Sequence, residues 1–425
     1  MLNMLNMIKK FENCSLCKTN VSFVECFNEN LLCYLKQFVN INSLLNTTIK
    51  FSNAKKYLYD WKLKQFYSLL YINNKYFKKM IEKKITFIKL QLSLILTNTD
   101  TMINTNNIGN IYGLELEHNY NIYDVNAFCN INKLNLQGCI NITNVNSLKN
   151  IHTLNLSYCY LIYDVSCLGN VHNLNLQGCI NILDVSKLIN VHTLNLSSSN
   201  IKNVSSLRNV KNLNLSYCSS IEDVSDLGNI YNLNLQACMK IIDFSQLTNN
   251  HILNLSICKI TNVNALKNVH TLDLSMCRDI IDVSALTNVH TLDLSHCKKI
   301  IDISNLGNVH NLNLSYCDLI KDVSALTNVH RLDLSHCKKL ININALTNVY
   351  KLNLAYCYNI IDFSSLANVY ELNLSHCNVT DYKLDILSNI HKLDLSYCTK
   401  ITDFSVLANV CDLIYNFDKL FDYYK

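Results

Sequence analysis

The stretch that decides the fold is NVHTLDLSHCKKIIDISNLG, residues 288–307. It gathers two histidines, a cysteine and two aspartates in twenty residues. Taken alone, His290, His296 and Cys297 suggest metal ligands or a nucleophilic site. Self-similarity gives a plainer reading. The Asn that opens the stretch recurs at 110, 130, 150, 170, 190, 209, 229, 249, 268, 288, 308, 328, 348, 368, 389 and 409, which sets fifteen complete units of 19–21 residues and a degenerate last one. Columns are numbered here from the residue after each Asn. Columns 1, 4, 6, 12, 15 and 18 are nearly always Ile, Val, Leu or Phe; in this unit they are Val289, Leu292, Leu294, Ile300, Ile303 and Leu306. Column 9 is Cys in thirteen units.

The unit reads V-x-x-L-x-L-x-x-C-x-x-I-x-D-V-S-x-L-x-N and resembles the leucine-rich repeat, in register from residue 111 to about 410. The resemblance implies an α/β repeat solenoid, a horseshoe of fifteen short units with a parallel sheet on its concave face. Elementary physics leads to the same place. Alternation of Leu across columns 3–7 is a short strand with its Leu pair pointing inward. One such strand cannot bury that pair, but stacked neighbours can. At about 4.8 Å per strand, fifteen units extend roughly 70 Å. Twenty residues leave little chain for a convex α-helix, so D-V-S-x-L-x-N should form a tight turn or 3₁₀ piece capped by its Ser or Asp. The longer unit 368–388, with VTDYKLDILSN, has room for a helical turn.

This register also places the reactive residues. His290 in column 2 and Cys297 in column 9 are roughly 20 Å apart along an extended strand and cannot share a metal. All 13 His fall in columns 2 and 8. His270, His290, His310 and His330 stack in column 2 about 5 Å apart, which leaves chelation or pH sensing open beside solvated imidazoles. Cys277, Cys297, Cys317, Cys337, Cys357 and Cys377 read as small buried side chains. Ser199 replaces Cys in one unit, which a core column tolerates and a ligand column would not. No metal and no cofactor is expected.

Columns 3, 5 and 7 should point out from the sheet, with column 8 on its rim. Column 5 is Asn or Asp almost throughout, column 7 is mostly Ser or Gln, and column 8 is rich in Tyr and His. Tyr supplies contact area with a polar handle, which suits protein recognition. Column 3 varies most near the end of the array. The expected target-binding residues are Asp293, His296, Tyr316, Arg331, Asp333, His336, Lys351, Tyr356, Glu371, Lys392 and Tyr397. The competing reading is that these columns only keep the array soluble. No nucleophile–base pair, phosphate-binding Gly loop or paired carboxylate stands out, so the chain is not expected to be an enzyme. The face lacks a basic stripe, so no nucleic-acid partner is expected.

The first hundred residues differ. They carry 15 Lys against 6 acidic residues, a net +9, whereas the remainder carries 22 basic and 26 acidic residues, a net −4. Pro is absent, and Arg appears three times against 34 Lys, a bias that an AT-rich genome would produce. No run of 18 uncharged apolar residues occurs, so no membrane span is expected. The start, MLNMLNMIKKFENCS, lacks the order of a signal peptide. With 20 Cys and no export signal, the expected compartment is the reducing cytoplasm (a host's, were the source viral) or the nucleus. NENLLCYLKQF, INSLLNTTIKF, AKKYLYDWKLKQFYSLLY and NKYFKKMIEKKI read as three to five amphipathic helices with basic outer faces. Cys14, Cys17, Cys26 and Cys33 do not have the spacing of a familiar zinc set.

Over residues 23–70 this spacing resembles an F-box, with Leu31, Leu32, Leu35, Ile41, Leu44, Leu45, Phe51, Trp61 and Leu63 at the matching positions; the Leu-Pro pair that usually opens an F-box is missing. The sequence that follows is similar to the head of amoebal and giant-virus F-box or repeat proteins. The resemblance implies an F-box-type substrate receptor. A Skp1-type adaptor of a cullin ubiquitin ligase would dock on Leu31, Leu32, Leu35, Ile41, Leu44, Leu45 and Trp61, and an unknown target protein would sit on the concave repeat face. The alternatives are a helical cap over the first repeat and a scaffold unrelated to ubiquitin. The expected organisation is an N-terminal segment (1–22), an F-box-like domain (23–70), a helical linker or cap (71–109), repeats (110–409) and a C-terminal cap (410–425).

Overall fold

The computed structural model describes residues 60–63, 78–79, 89–93 and 111–416. The chain divides into two units, one of residues 1–94 with 106–114 and one of residues 95–105 with 115–425. In the first, strand Asp60–Leu63 pairs in parallel with strand Lys89–Ser93, Trp61 opposite Leu90 and Leu63 opposite Leu92. This corrects two expectations. Trp61 lies on a strand, not at the end of an F-box helix, and the linker 71–109 is not helical at Lys89–Ser93. Both segments, W-K-L and K-L-Q-L-S, alternate with period 2, which suits a paired strand better than a helix of period 3.6.

The second unit holds the repeats. Fifteen three-residue strands, from Lys133–Asn135 to Asp412–Ile414, pair parallel with no slip in register, column on column. The ladder continues past each strand, as where the Leu294 N–H donates to Asn313 O at 2.8 Å and the His296 N–H to Ser315 O at 2.8 Å. The Leu of columns 4 and 6 are buried from the rung of Leu114 to that of Leu393, as are the residues of columns 12 and 18 from rung to rung. The core is therefore one continuous column of apolar side chains between sheet and return segment. The register, the buried Leu pair and the short returns make this a leucine-rich repeat solenoid.

The return segments are turns or single 3₁₀ pieces, and no α-helix occurs between residues 111 and 416. In the opening stretch, Ser304–Leu306 is such a piece, closed by the Leu306 N–H donating to Ile303 O at 3.0 Å. Its cap is the column 14 aspartate: Asp302 Oδ1 accepts the Ser304 N–H at 2.9 Å. Asn does the same work at Asn262 and Asn342. Asp302→Asn should therefore leave the melting midpoint unchanged, whereas Asp302→Ala should lower it by about 2 °C. Thermal melts followed by circular dichroism check this, and equal midpoints for the two variants would remove the capping role.

The longer unit 368–388 has two consecutive 3₁₀ pieces, Asp381–Lys383 and Asp385–Leu387, in place of an α-helical turn. The expected C-terminal cap opens with a further rung, because Asp412–Ile414 pairs with Lys392–Asp394. Column 1 has one exception to its apolar rule. Asn250 is buried there, its Nδ2 donating to Leu227 O at 3.0 Å and Ile230 O at 2.7 Å while its Oδ1 finds no partner.

Candidate binding face

Most strands alternate, with half-exposed column 3 and column 5 side chains around a buried Leu, as at Thr291–Asp293; Arg331, Lys351 and Lys392 in column 3 are exposed. Column 5 is part of the frame. Asp293 Oδ1 accepts the Ser295 N–H at 2.8 Å, and Asp333 Oδ1 accepts the Ser335 N–H at 2.8 Å. Asn in the same column does likewise, as Asn313 does for Ser315 at 3.0 Å. This Asx turn ends the strands from Lys133–Asn135 to Lys392–Asp394. The second carboxylate oxygens are also used: Asn313 Nδ2 donates to Asp293 Oδ2 at 2.9 Å and Asn353 Nδ2 to Asp333 Oδ2 at 2.8 Å. Asp293 and Asp333 are thus held in place by the frame on both carboxylate oxygens. The signal was in the sequence as Asn or Asp with a Ser two residues later.

Column 3 carries the exchangeable charge. Lys351 Nζ lies 2.8 Å from Glu371 Oε2, and Lys392 Nζ lies 2.7 Å from Asp412 Oδ2. The Lys351 hydrogen bond holds the Glu371 carboxyl below its ordinary range, and Asp412 raises the Lys392 ammonium. Such solvent-facing pairs contribute little to stability, so a partner's charges can displace them. Arg331 is exposed and makes no ion pair among the described residues.

Column 8 follows each Asx turn in the left-handed region, with φ between 53° and 70° in all fifteen rungs. From His296 onward its rings stack in one run: His296, Tyr316, His336, Tyr356, His376 and Tyr397, with centroids 4.0–4.3 Å apart. Five of these are among the expected site residues; His376, which shares their column, completes the run.

A second ring ladder runs along column 2. Tyr231, His251, His270, His290, His310, His330, Tyr350, Tyr370 and His391 stack with centroids 4.5–4.8 Å apart. Parallel rings direct their nitrogen lone pairs side by side, so neighbours do not converge on one metal. Burial, and then the adjacent imidazoles, hold His270 and His310 below the ordinary value of 6.5, with Arg331 adding to the effect at His310. The folded state favours neutral rings, while the unfolded chain takes up protons below about 6.5. Stability should therefore fall as pH drops below that value. The exposed aspartates act later: Ser304 holds Asp302 below 3.8, so its contribution is lost only as pH falls further. Melting midpoints from pH 7.5 to 5 should decline, and His270→Asn with His290→Asn and His310→Asn should flatten that decline. An unchanged slope in the triple variant would clear the ladder of this role.

Column 9 offers no nucleophile. All thirteen of its thiols are buried and free. Cys297 Sγ donates to Leu274 O at 3.2 Å, one rung back, and burial pushes the thiol up to about 12. Among the described residues no group of three or more metal-ligating side chains converges, and no helix is long and apolar enough to cross a membrane. Leu31, Leu32, Leu35, Ile41, Leu44 and Leu45 lie outside the described residues.

No family model matches the chain, and no curated protein matches it. Solved structures similar to it are repeat proteins. An internalin (inlF) from Listeria monocytogenes is 22% identical over 79% of this chain and 93% of its own, with a TM-score of 0.47. The functional domain of InlJ from Listeria monocytogenes, which includes a cysteine ladder, is 19% identical over 77% of this chain and 67% of its own, with a TM-score of 0.37. A leucine-rich repeat protein from Bacteroides eggerthii is 12% identical over 78% of this chain and 68% of its own, with a TM-score of 0.38.

Proposed function

We propose that this chain is a non-enzymatic protein-binding adaptor that holds a target protein on the outer face of its sheet. In its finer form, the reading makes it an F-box-type substrate receptor of a Skp1–cullin ubiquitin ligase, working in the cytoplasm or nucleus. The observation that carries the binding role is the change along column 3. From Thr153 to Asn311 the column is Thr or Asn apart from Ile252, and it then gives way to Arg331, Lys351, Glu371 and Lys392 on the rungs that also carry the column 8 rings. An array kept only for solubility needs no such change on one part of one face.

The ubiquitin role rests on the spacing of Leu31, Leu32, Leu35, Ile41, Leu44 and Leu45. The second reading is a repeat scaffold unrelated to ubiquitin. Co-expression with a Skp1-type adaptor separates the two. The first reading expects the intact chain to co-purify with the adaptor and the double change Leu35→Asp with Leu45→Asp to abolish that. No association in a clean reconstitution leaves the scaffold reading. In either case Arg331→Glu with Lys351→Glu should weaken target capture at least about tenfold. Unchanged capture would move the target off this face.

A further inference from the structure

We infer that the His296–Tyr397 ring ladder, with the unpaired cations beside it, is the docking surface for an extended acidic peptide segment of the target. This rests on the protein-binding reading of the sheet face and narrows it to one partner chemistry.

The residue choice in column 8 is the first support. A left-handed backbone is cheapest for Gly and next for Asn. Asn is abundant throughout the chain, yet none of the fifteen column 8 residues is Asn, and two, Gly138 and Gly178, are Gly. From residue 288 onward all six are His or Tyr. The left-handed backbone favours His in part, but it does not call for the three Tyr that alternate with them.

The chemistry of the exposed edge is the second support. The ring faces cover one another at 4.0–4.3 Å, so each ring offers its edge, with Tyr316 36% and Tyr397 58% exposed. Tyr edges supply hydroxyl donors and His edges supply ring N–H donors. Beside them, in columns 10 and 11, Lys298 and Lys299 are matched by Asp318 at 3.9 Å and Asp279 at 2.7 Å. On the ladder's own rungs, Lys338 and Lys339 make no ion pair among the described residues. Lys338 is near enough to the ladder to act on the His336 imidazole, after burial, in lowering its proton affinity. Asp333 and Asp318 act on the same imidazole in the opposite sense, and Asp293 and Asp333 are also held by hydrogen bonds within the frame. Arg331, Lys338 and Lys339 thus stand by the ladder without an ion-pair partner among the described residues, which fits an anionic partner. Six rungs at about 4.8 Å span about 24 Å, the length of about seven extended residues. Single-stranded nucleic acid fits less well, because stacking needs open ring faces and these are covered.

Fluorescence anisotropy on the full chain tests this with a labelled dodecapeptide of alternating Glu and Ser. Controls are the same peptide with Gln for Glu, and a labelled twelve-residue oligo-dT. The Glu peptide should bind at least about tenfold more tightly than the Gln peptide. Tyr316→Gly with Tyr356→Gly should weaken it about tenfold, and Lys338→Ser with Lys339→Ser about fivefold, while Tyr217→Gly leaves it unchanged. Tyr316 and Tyr356 have φ of 59° and 63°, close to those of Gly138 and Gly178, so Gly suits the backbone there. Should the ring variant fail to melt cooperatively, the Lys variant decides. Equal affinity for the Gln peptide, wild-type affinity in a folded ring or Lys variant, or tighter binding of oligo-dT each overturns the proposal. If Arg331→Glu with Lys351→Glu still abolishes target capture when the Glu peptide does not bind, the sheet-face reading stands and this one fails.

Discussion

Cys297→Asp should unfold the rungs on both sides of residue 297, at a cost of at least about 3 kcal/mol. The site is fully buried, its thiol is pushed up to about 12, and its Sγ donates to Leu274 O. A carboxylate there has no cation to face and cannot donate to that carbonyl, so a buried charge and an orphaned acceptor arise together. Cys297→Ser isolates the charge from the shape. Ser199 already occupies the column, buried, with its Oγ donating to Leu196 O at 2.7 Å. The Ser variant should therefore lose only about 1 kcal/mol. Urea unfolding followed by circular dichroism compares the three proteins. A Cys297→Asp midpoint near that of wild type would show that column 9 is open to water.

Leu294→Ala should cost about 2–5 kcal/mol. Leu294 lies in column 6, fully buried, with its N–H donating to the next rung at Asn313 O. Leu274 and Leu314, equally buried, hold the same column on either side, so neither neighbour can collapse far into the space left. Thr291→Ala, on the same strand but on the outer face, should change stability by less than about 0.5 kcal/mol. The two variants share a strand and differ in the side of the sheet they alter. Similar urea midpoints for both would contradict the assignment of inner and outer columns.

Much of this was legible in the sequence, because a repeat writes its local geometry many times over. The period, the buried Leu pair, the buried Cys column and the short returns all follow from which residue types recur at which column. The single Ser in column 9 was informative in the same way, since it distinguished a core position from a ligand set. The candidate face was legible in outline only. Column 5 looked like a row of free hydrogen-bonding groups, yet Asp293 and Asp333 are tied to the backbone two residues on and to the next rung. The helices expected near Trp61 and Lys89 failed because short Lys-rich apolar runs satisfy both periods, and pairing between residues 29 apart settled the matter.

By itself the sequence determined the solenoid, its register and which side chains face inward, because those depend on patterns within about twenty residues. Only the tertiary structure decided what the outer side chains do. The left-handed turn at column 8 and the two ring ladders are relations between residues one unit apart, set by the stacking of rungs at close to ring-contact distance. No pattern along the chain states whether His296 meets Tyr316 face to face or points away from it. The stacked backbone fixes that, and with it which edges and charges are left for a partner.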